Sequence, residues 1–144
     1  MINNPYVQTI AGLVIFYVGL KMFSGGMKSL GNLEHLTYFL GNPYYMFLGG
    51  IICTLLWQSS SLSTTAIIGL VASGALPLPS AIAAVLGANI GTTGTIWLAG
   101  IMVSDGMPQG ITKQIAIVHT GVNSLMAIAL LPFCQTIARY VSKF

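Results

Sequence analysis

Long apolar runs broken by almost no charge constrain this chain more than any other feature. Its whole charged inventory is five basic residues (Lys21, Lys28, Lys113, Arg139, Lys143) and two acidic ones (Glu34, Asp105). Soluble domains carry about 25% charged residues, against 5% here, where the mean hydropathy is +0.85. So few charges cannot clothe a water-soluble globule of 144 residues, and lipid must cover much of the surface. The expected fold class is therefore an all-α integral membrane protein, with residues 1–144 as a single membrane domain crossing the cell membrane several times. The +3 net charge comes from scattered residues without a basic stripe. No nucleic-acid partner is expected, because phosphate backbones are held by clusters of Lys and Arg.

A spanning helix needs about 20 apolar residues, which leaves room for roughly four to six helical segments. Residues 5–30 form the first run, long enough to cross with tilt. Met1 to Val7 lack the positive region of a secretory signal, so this run reads as a retained helix, with Lys21 and Lys28 snorkelling at its later end. Residues 31–42, with Glu34 and His35, read as an interfacial connection containing a short helix. Cys53 and Cys134 sit in apolar runs and read as buried thiols.

Residues 43–76 carry the most information. Asn42-Pro43 is a helix-start signal, and the apolar run after it stops at Gln58-Ser59-Ser60-Ser61 before apolar sequence resumes. One straight helix over 43–76 would be about 51 Å long and would overshoot a hydrocarbon core of about 30 Å. The halves, 43–57 and 62–76, are about 22 Å each, too short to span. Two short helices meeting at a polar break describe a re-entrant hairpin, whose break is tolerated only where it is buried in protein or lines a wet cavity.

Residues 80–104 form a second interrupted segment, expected to be a helix broken near its middle at Gly87-Ala88-Asn89-Ile90-Gly91-Thr92-Thr93-Gly94. The Gly87-xxx-Gly91 spacing also fits close helix packing. A turn is expected at 105–110. Residues 111–133 form the last crossing, with His119 and Asn123 four residues apart on one face, and the basic tail is interfacial. About three transmembrane helices plus one hairpin result. An odd number of crossings puts the termini on opposite sides, so a tandem copy would be inverted.

The chemistry concentrates at Gln58, Ser59, Ser60, Ser61, Ser63, Thr64 and Thr65. A helix starting after Gln58 offers free N–H groups and the positive end of its dipole to an anion. The half-helix before it ends in exposed carbonyls suited to a hard cation such as Na+. Broken helices that serve ion and substrate together are a recurring device of secondary transporters. Asn89, Thr92 and Thr93 add polar groups at the second segment. An enzyme is not expected: a serine nucleophile wants a base within reach, and His119 is the sole histidine inside a spanning run.

QSSSLSTT at 58–65 followed by GANIGTTGT at 87–95 resembles the type II sodium/phosphate cotransporter family. GLVIFYVGLKMFSGGMKSL, NPYYMFLGGIICTLLWQSSS and AIVHTGVNSL extend the likeness over nearly the whole chain. Leu62 and Val122 stand where the family prefers Ala and Phe. The resemblance implies Na+-coupled phosphate symport on a fold of two inverted repeats, each with its own QSSS, and no organic cofactor. It implies that Ser59, Ser60 and Ser61 meet phosphate and that Gln58, Thr64, Thr65, Asn89, Thr92 and Thr93 share Na+ and substrate contacts; our assignment gives Asn89 and Thr92 to phosphate and Gln58, Thr64, Thr65, Asn89 and Thr93 to Na+. This chain has one QSSS, so it corresponds to one repeat, and the expected assembly is an antiparallel homodimer. One face carries Lys28, Arg139 and Lys143 and the other Lys113, a small bias compatible with dual insertion. The competing expectation is a non-transporting membrane subunit or fragment that binds an anion or a partner protein.

Overall fold

A computed structural model describes residues 4–30, 34–102 and 109–144. Among them the chain is helical, without strands: α1 (Pro5–Leu30), α2 (Glu34–Gly41), α3 (Pro43–Trp57), α4 (Ser60–Ala72), α5 (Leu78–Met102), α6 (Gln109–Leu130), a 3-10 turn (Leu131–Phe133) and α7 (Cys134–Val141). Among the described residues three stretches are long and apolar enough to cross a membrane: Pro5–Gly26, Leu78–Gly100 and Lys113–Val141. The all-α membrane fold expected from composition is present. The turn expected at 105–110 falls mostly outside the described residues.

The paired short helices arise from local chemistry. Asn42 accepts the backbone N–H of Tyr44, and Pro43 fills the first helical position, where a missing N–H costs nothing. α4 begins two residues earlier than its apolar run because Ser59 caps it, taking the N–H of Leu62 on its side chain. It ends at Ala72, four residues before the expected limit at residue 76, in a Schellman arrangement. Gly74 sits at φ +78, its N–H bonds Val71 and the N–H of Ala75 bonds Leu70.

The register of α3 on α5 follows from their glycines. A Cβ on Gly50 would lie 2.1 Å from the Ala84 carbonyl oxygen, and one on Gly87 2.0 Å from that of Phe47. Higher up, Gly91 meets Thr54 and Gly94 meets Leu55. Residue numbers rise together, so α3 and α5 run parallel, with backbones in contact across the largest helix–helix interface among the described residues. α4 returns antiparallel: Thr54 meets Ser63 near the tip, while Met46, Ile67, Leu76, Ala81 and Ala84 share one buried cluster near the base. Both ends of the hairpin thus lie where α5 begins, and its tip reaches about three-quarters of the height of α5 at 1.5 Å per residue.

α6 runs antiparallel to α5. Trp97 Nε1 donates to Thr120 Oγ1 at 3.0 Å, and Ala83 and Leu86 cluster with Ala127 and Cys134. The last crossing is jointed: α6 stops before Pro132, the 3-10 turn follows, and α7 buries Cys134 and Ala138. α1 touches the rest mainly through Leu20 and Phe23 against Gly69 of α4 and otherwise exposes its apolar side chains.

One expectation needs correction. Residues 80–104 were expected to form a broken helix, but α5 continues unbroken through Gly87–Gly94. The physical reason is that Gly87, Gly91 and Gly94 let α3 approach, so the missing side chains are replaced by a neighbouring helix instead of by solvent.

Candidate functional site at the hairpin tip

The helix break is confined to Gln58 and Ser59. Gln58 holds φ 52, the left-handed region that a non-glycine residue occupies only when its surroundings hold it there. Its backbone N–H bonds the Thr54 carbonyl at 2.9 Å, and its side-chain Nε2 donates to the Leu55 carbonyl. The amide oxygen of Gln58 is left as an acceptor. The carbonyls of Leu56 and Trp57, in the last turn of α3, receive no hydrogen bond among the described residues. This rim carries oxygen lone pairs.

The opposite rim carries donors. The N–H of Ser63 and that of Leu62 are taken by the backbone and side chain of Ser59, while those of Ser60 and Ser61 have no acceptor among the described residues. The hydroxyls of Ser60 and Ser61 have no partner within the described chain either, and Ser61 is exposed. N–H groups and hydroxyls at the positive end of a helix dipole suit an anion, and the facing carbonyls suit a hard cation. The tip therefore offers both kinds of contact within a few residues.

Ser63 and Thr54 play a different part. Thr54 is 0% exposed and Ser63 2%. Thr54 Oγ1 donates to Ser63 Oγ at 2.7 Å, and Ser63 Oγ donates onward to the Ser59 carbonyl at 3.1 Å. Sequence reasoning passed over Thr54, although it lies four residues before Gln58 and hence on the same helical face.

The candidate residues do not form one cluster within a single chain. On α4, Thr64 shares a face with Ile67 and Val71, which turn toward α5, whereas Thr65 lines an apolar groove against Phe16, Leu20 and Phe23 of α1. On α5, Asn89 and Thr92 continue the stripe of Ala81 and Val85 that α4 packs on. Thr93, only 7% exposed, follows Leu86, Ile90 and Trp97 toward α6. The hydroxyls of Thr92 and Thr93 fold back on the carbonyls of Ala88 and Ile90, at 2.9 and 2.7 Å, while the Asn89 amide is unpartnered among the described residues. On α6, Asn123 Nδ2 lies 3.2 Å from His119 Nδ1.

Height unites what direction divides. Gly91 meets Thr54, Gly94 meets Leu55 and Trp97 meets Thr120. The hairpin tip, Asn89 to Thr93 and the His119–Asn123 pair therefore lie in one polar layer, about 12 Å deep at the helical rise. Among the described residues no three His, Cys, Asp or Glu side chains gather to hold a metal ion. Any cation in this layer would rest on amide, hydroxyl and carbonyl oxygens.

Residues 15–137 match the family described as Na+/Pi-cotransporter. The chain belongs to that family. The sodium-dependent phosphate transport protein 2A of Mus musculus is 35% identical over 129 residues, 85% of this chain and 20% of the mouse protein. The sodium-dependent phosphate transport protein 2B of Homo sapiens is 32% identical over 130 residues, 85% of this chain and 19% of the human protein. An uncharacterised protein of Bacillus subtilis is 33% identical over 92 residues, 62% of this chain and 30% of that one. No solved structure matches. The chain spans about a fifth of the length of its mammalian cotransporter relatives, and the hairpin with its QSSS turn lies inside the matched region.

Proposed function

We propose that the chain is one repeat of a Na+-coupled phosphate transporter in a cell membrane. Two copies would pair as an antiparallel homodimer, with their re-entrant hairpin tips facing each other. The observation that carries this reading is the turn at Gln58-Ser59, which presents N–H groups and hydroxyls on one rim and carbonyls on the other that are unbonded among the described residues. Membership of a cotransporter family supports it, as do the names of its mammalian relatives. It also fits a transporter better than an enzyme.

In this reading Ser59, Ser60 and Ser61 hold phosphate with the first N–H groups of α4, and Asn89 and Thr92 stand beside them. Gln58, Thr64 and Asn89 hold Na+ together with the carbonyls ending α3. Thr65 faces α1 and would serve only where α1 yields to a second copy. Thr93 is assigned a role inside the helix. The distribution of these residues over several faces of one chain is what an antiparallel partner would remedy.

The test is Na+-dependent uptake of labelled phosphate into proteoliposomes. Wild-type protein should accumulate phosphate well above protein-free vesicles, and Ser60→Ala should weaken it about tenfold or more, as expected for a bond to a charged ligand. Absence of uptake by folded wild-type protein would sink the transport reading. Tags on both termini should appear in both compartments, and a single fixed orientation would remove the antiparallel dimer. The placing of the candidate residues on several faces of one chain also admits one competitor, a subunit that binds phosphate without moving it. Phosphate-dependent thermal stabilisation without flux would select that reading.

A further inference from the structure

We infer that Thr54 is a positioning residue for the hairpin tip, setting the geometry of the QSSS turn without touching what binds there. The inference rests on the reading of that turn as a phosphate and Na+ site. Thr54 holds both edges of the break. Its carbonyl takes the N–H of Gln58, the residue at positive φ, at 2.9 Å. Its hydroxyl, through Ser63, reaches the carbonyl of Ser59, the residue that caps α4.

The relay has a direction. Thr54 donates to Ser63, and Ser63 is then free to donate to Ser59, so each hydroxyl spends its one proton toward the tip. Thr54 and Ser63 are buried, at 0% and 2% exposure, so neither offers its oxygen to a ligand.

The relay is also indexed on α5. A Cβ on Gly91 would stand 2.6 Å from the Thr54 Cβ and 2.8 Å from the Ile51 carbonyl oxygen. Thr54 is therefore seated against bare backbone, and the height of the tip relative to Asn89 and Thr92 follows from that seat. Small displacements at such a site are costly because binding groups must be held by supporting contacts to within about half an ångström. Thr54→Val would keep the shape and lose the donor.

Na+-dependent uptake of inorganic phosphate in proteoliposomes, with the melting temperature of each variant measured in detergent, tests this. Thr54→Val and Ser63→Ala should each raise the half-saturating phosphate about three- to tenfold, the worth of one hydrogen bond, with a smaller change in maximal rate. Thr54→Ser should restore the wild-type value. The double variant T54V/S63A should be no worse than the weaker single variant, because both cut one relay. Wild-type half-saturation in Thr54→Val, or effects that multiply in the double variant, would overturn the inference. Should Thr54→Val fail to fold, Ser63→Ala decides by the melting shift that phosphate induces: a reduced shift supports the relay and a wild-type shift overturns it. Should wild-type protein bind phosphate but not transport it, the transport reading falls, and the same melting shifts still test the positioning role.

Discussion

Residues 58–65 and 87–94 are both dense in hydroxyl and amide groups and stand at similar heights, yet the backbone treats them in opposite ways. At the first, Gln58 leaves the right-handed region and Ser59 caps a new helix, so polar groups of the turn are released from helical bonding. At the second, α5 runs straight through, and Thr92 and Thr93 return their hydroxyls to the helix they belong to. What opens a helix here is a residue that departs from αR followed by a side chain able to start the next helix. A shortage of side chains does not suffice. Three glycines would weaken an isolated helix by about 1 kcal/mol each, but packed against α3 they shorten the distance between two backbones. The first region leaves polar groups unbonded within the described chain, and the second is the wall on which it is mounted.

The largest expected effect comes from spoiling that wall. Gly87→Ala would put a methyl group 2.0 Å from the Phe47 carbonyl oxygen and 2.9 Å from its carbon, backbone atoms that cannot rotate away. A loss of about 3 kcal/mol is expected, the upper end for overpacking, and it should appear as a markedly lower melting temperature in detergent. Gly12→Ala in α1, with nothing within 4 Å, is the matched control and should be neutral or stabilising by up to about 1 kcal/mol. Equal melting of the two variants would mean that α3 and α5 are not in backbone contact.

How much of this was legible beforehand follows the same divide. The membrane class, the first crossing at 5–30 and the hairpin halves could be read because each rests on local chemistry: charge scarcity, Asn42-Pro43, and a serine run able to cap. The start of α4 moved by two residues because the identity of the cap, Ser59 or a later serine, depends on which hydroxyl reaches an N–H. The continuity of α5 was not legible. Gly87, Gly91 and Gly94 have the same composition whether they loosen a helix or admit a neighbour, and only the arrival of α3 decides between them. Thr54 escaped notice because its partner, Ser63, lies across the fold of the hairpin. The division of Thr64 from Thr65 and of Thr92 from Thr93 is helical geometry, one residue turning about 100°. Which face meets which helix is a tertiary fact.

An intermediate effect is expected at the break itself, where stability and function should separate. Gln58→Gly relieves a left-handed conformation that costs roughly 1–2 kcal/mol in a residue with a Cβ. It also removes the side-chain bond to the Leu55 carbonyl, worth about 1 kcal/mol. The two nearly cancel, so melting should stay within about 1 kcal/mol of wild type. Na+-dependent uptake should fall about tenfold, because the amide oxygen assigned to Na+ is gone. A variant that keeps full uptake would show Gln58 to be a shape-making residue only, and the open region would lose its cation rim.

The smallest effect is expected on the face of the wall that turns away from the hairpin. Thr93 is buried, turns toward α6, and bonds the carbonyl of Ile90, an oxygen placed to serve the helical ladder as well. Thr93→Val keeps the branched shape and removes a bond that the acceptor does not need, so no buried group is orphaned. Stability should change by less than about 1 kcal/mol, and the half-saturating Na+ should stay within a factor of about two. Thr64→Val makes the contrast: its hydroxyl has no partner within the described chain and stands on the face of α4 turned to α5, so its loss should raise half-saturating Na+ by about three- to tenfold. Uptake titrated with Na+ for the two variants compares the regions directly. If Thr93→Val weakens Na+ dependence as much as Thr64→Val, then α5 contributes ligands on its α6 side as well. The Na+ contacts proposed for the hairpin and Asn89 would then extend through the helix toward His119 and Asn123.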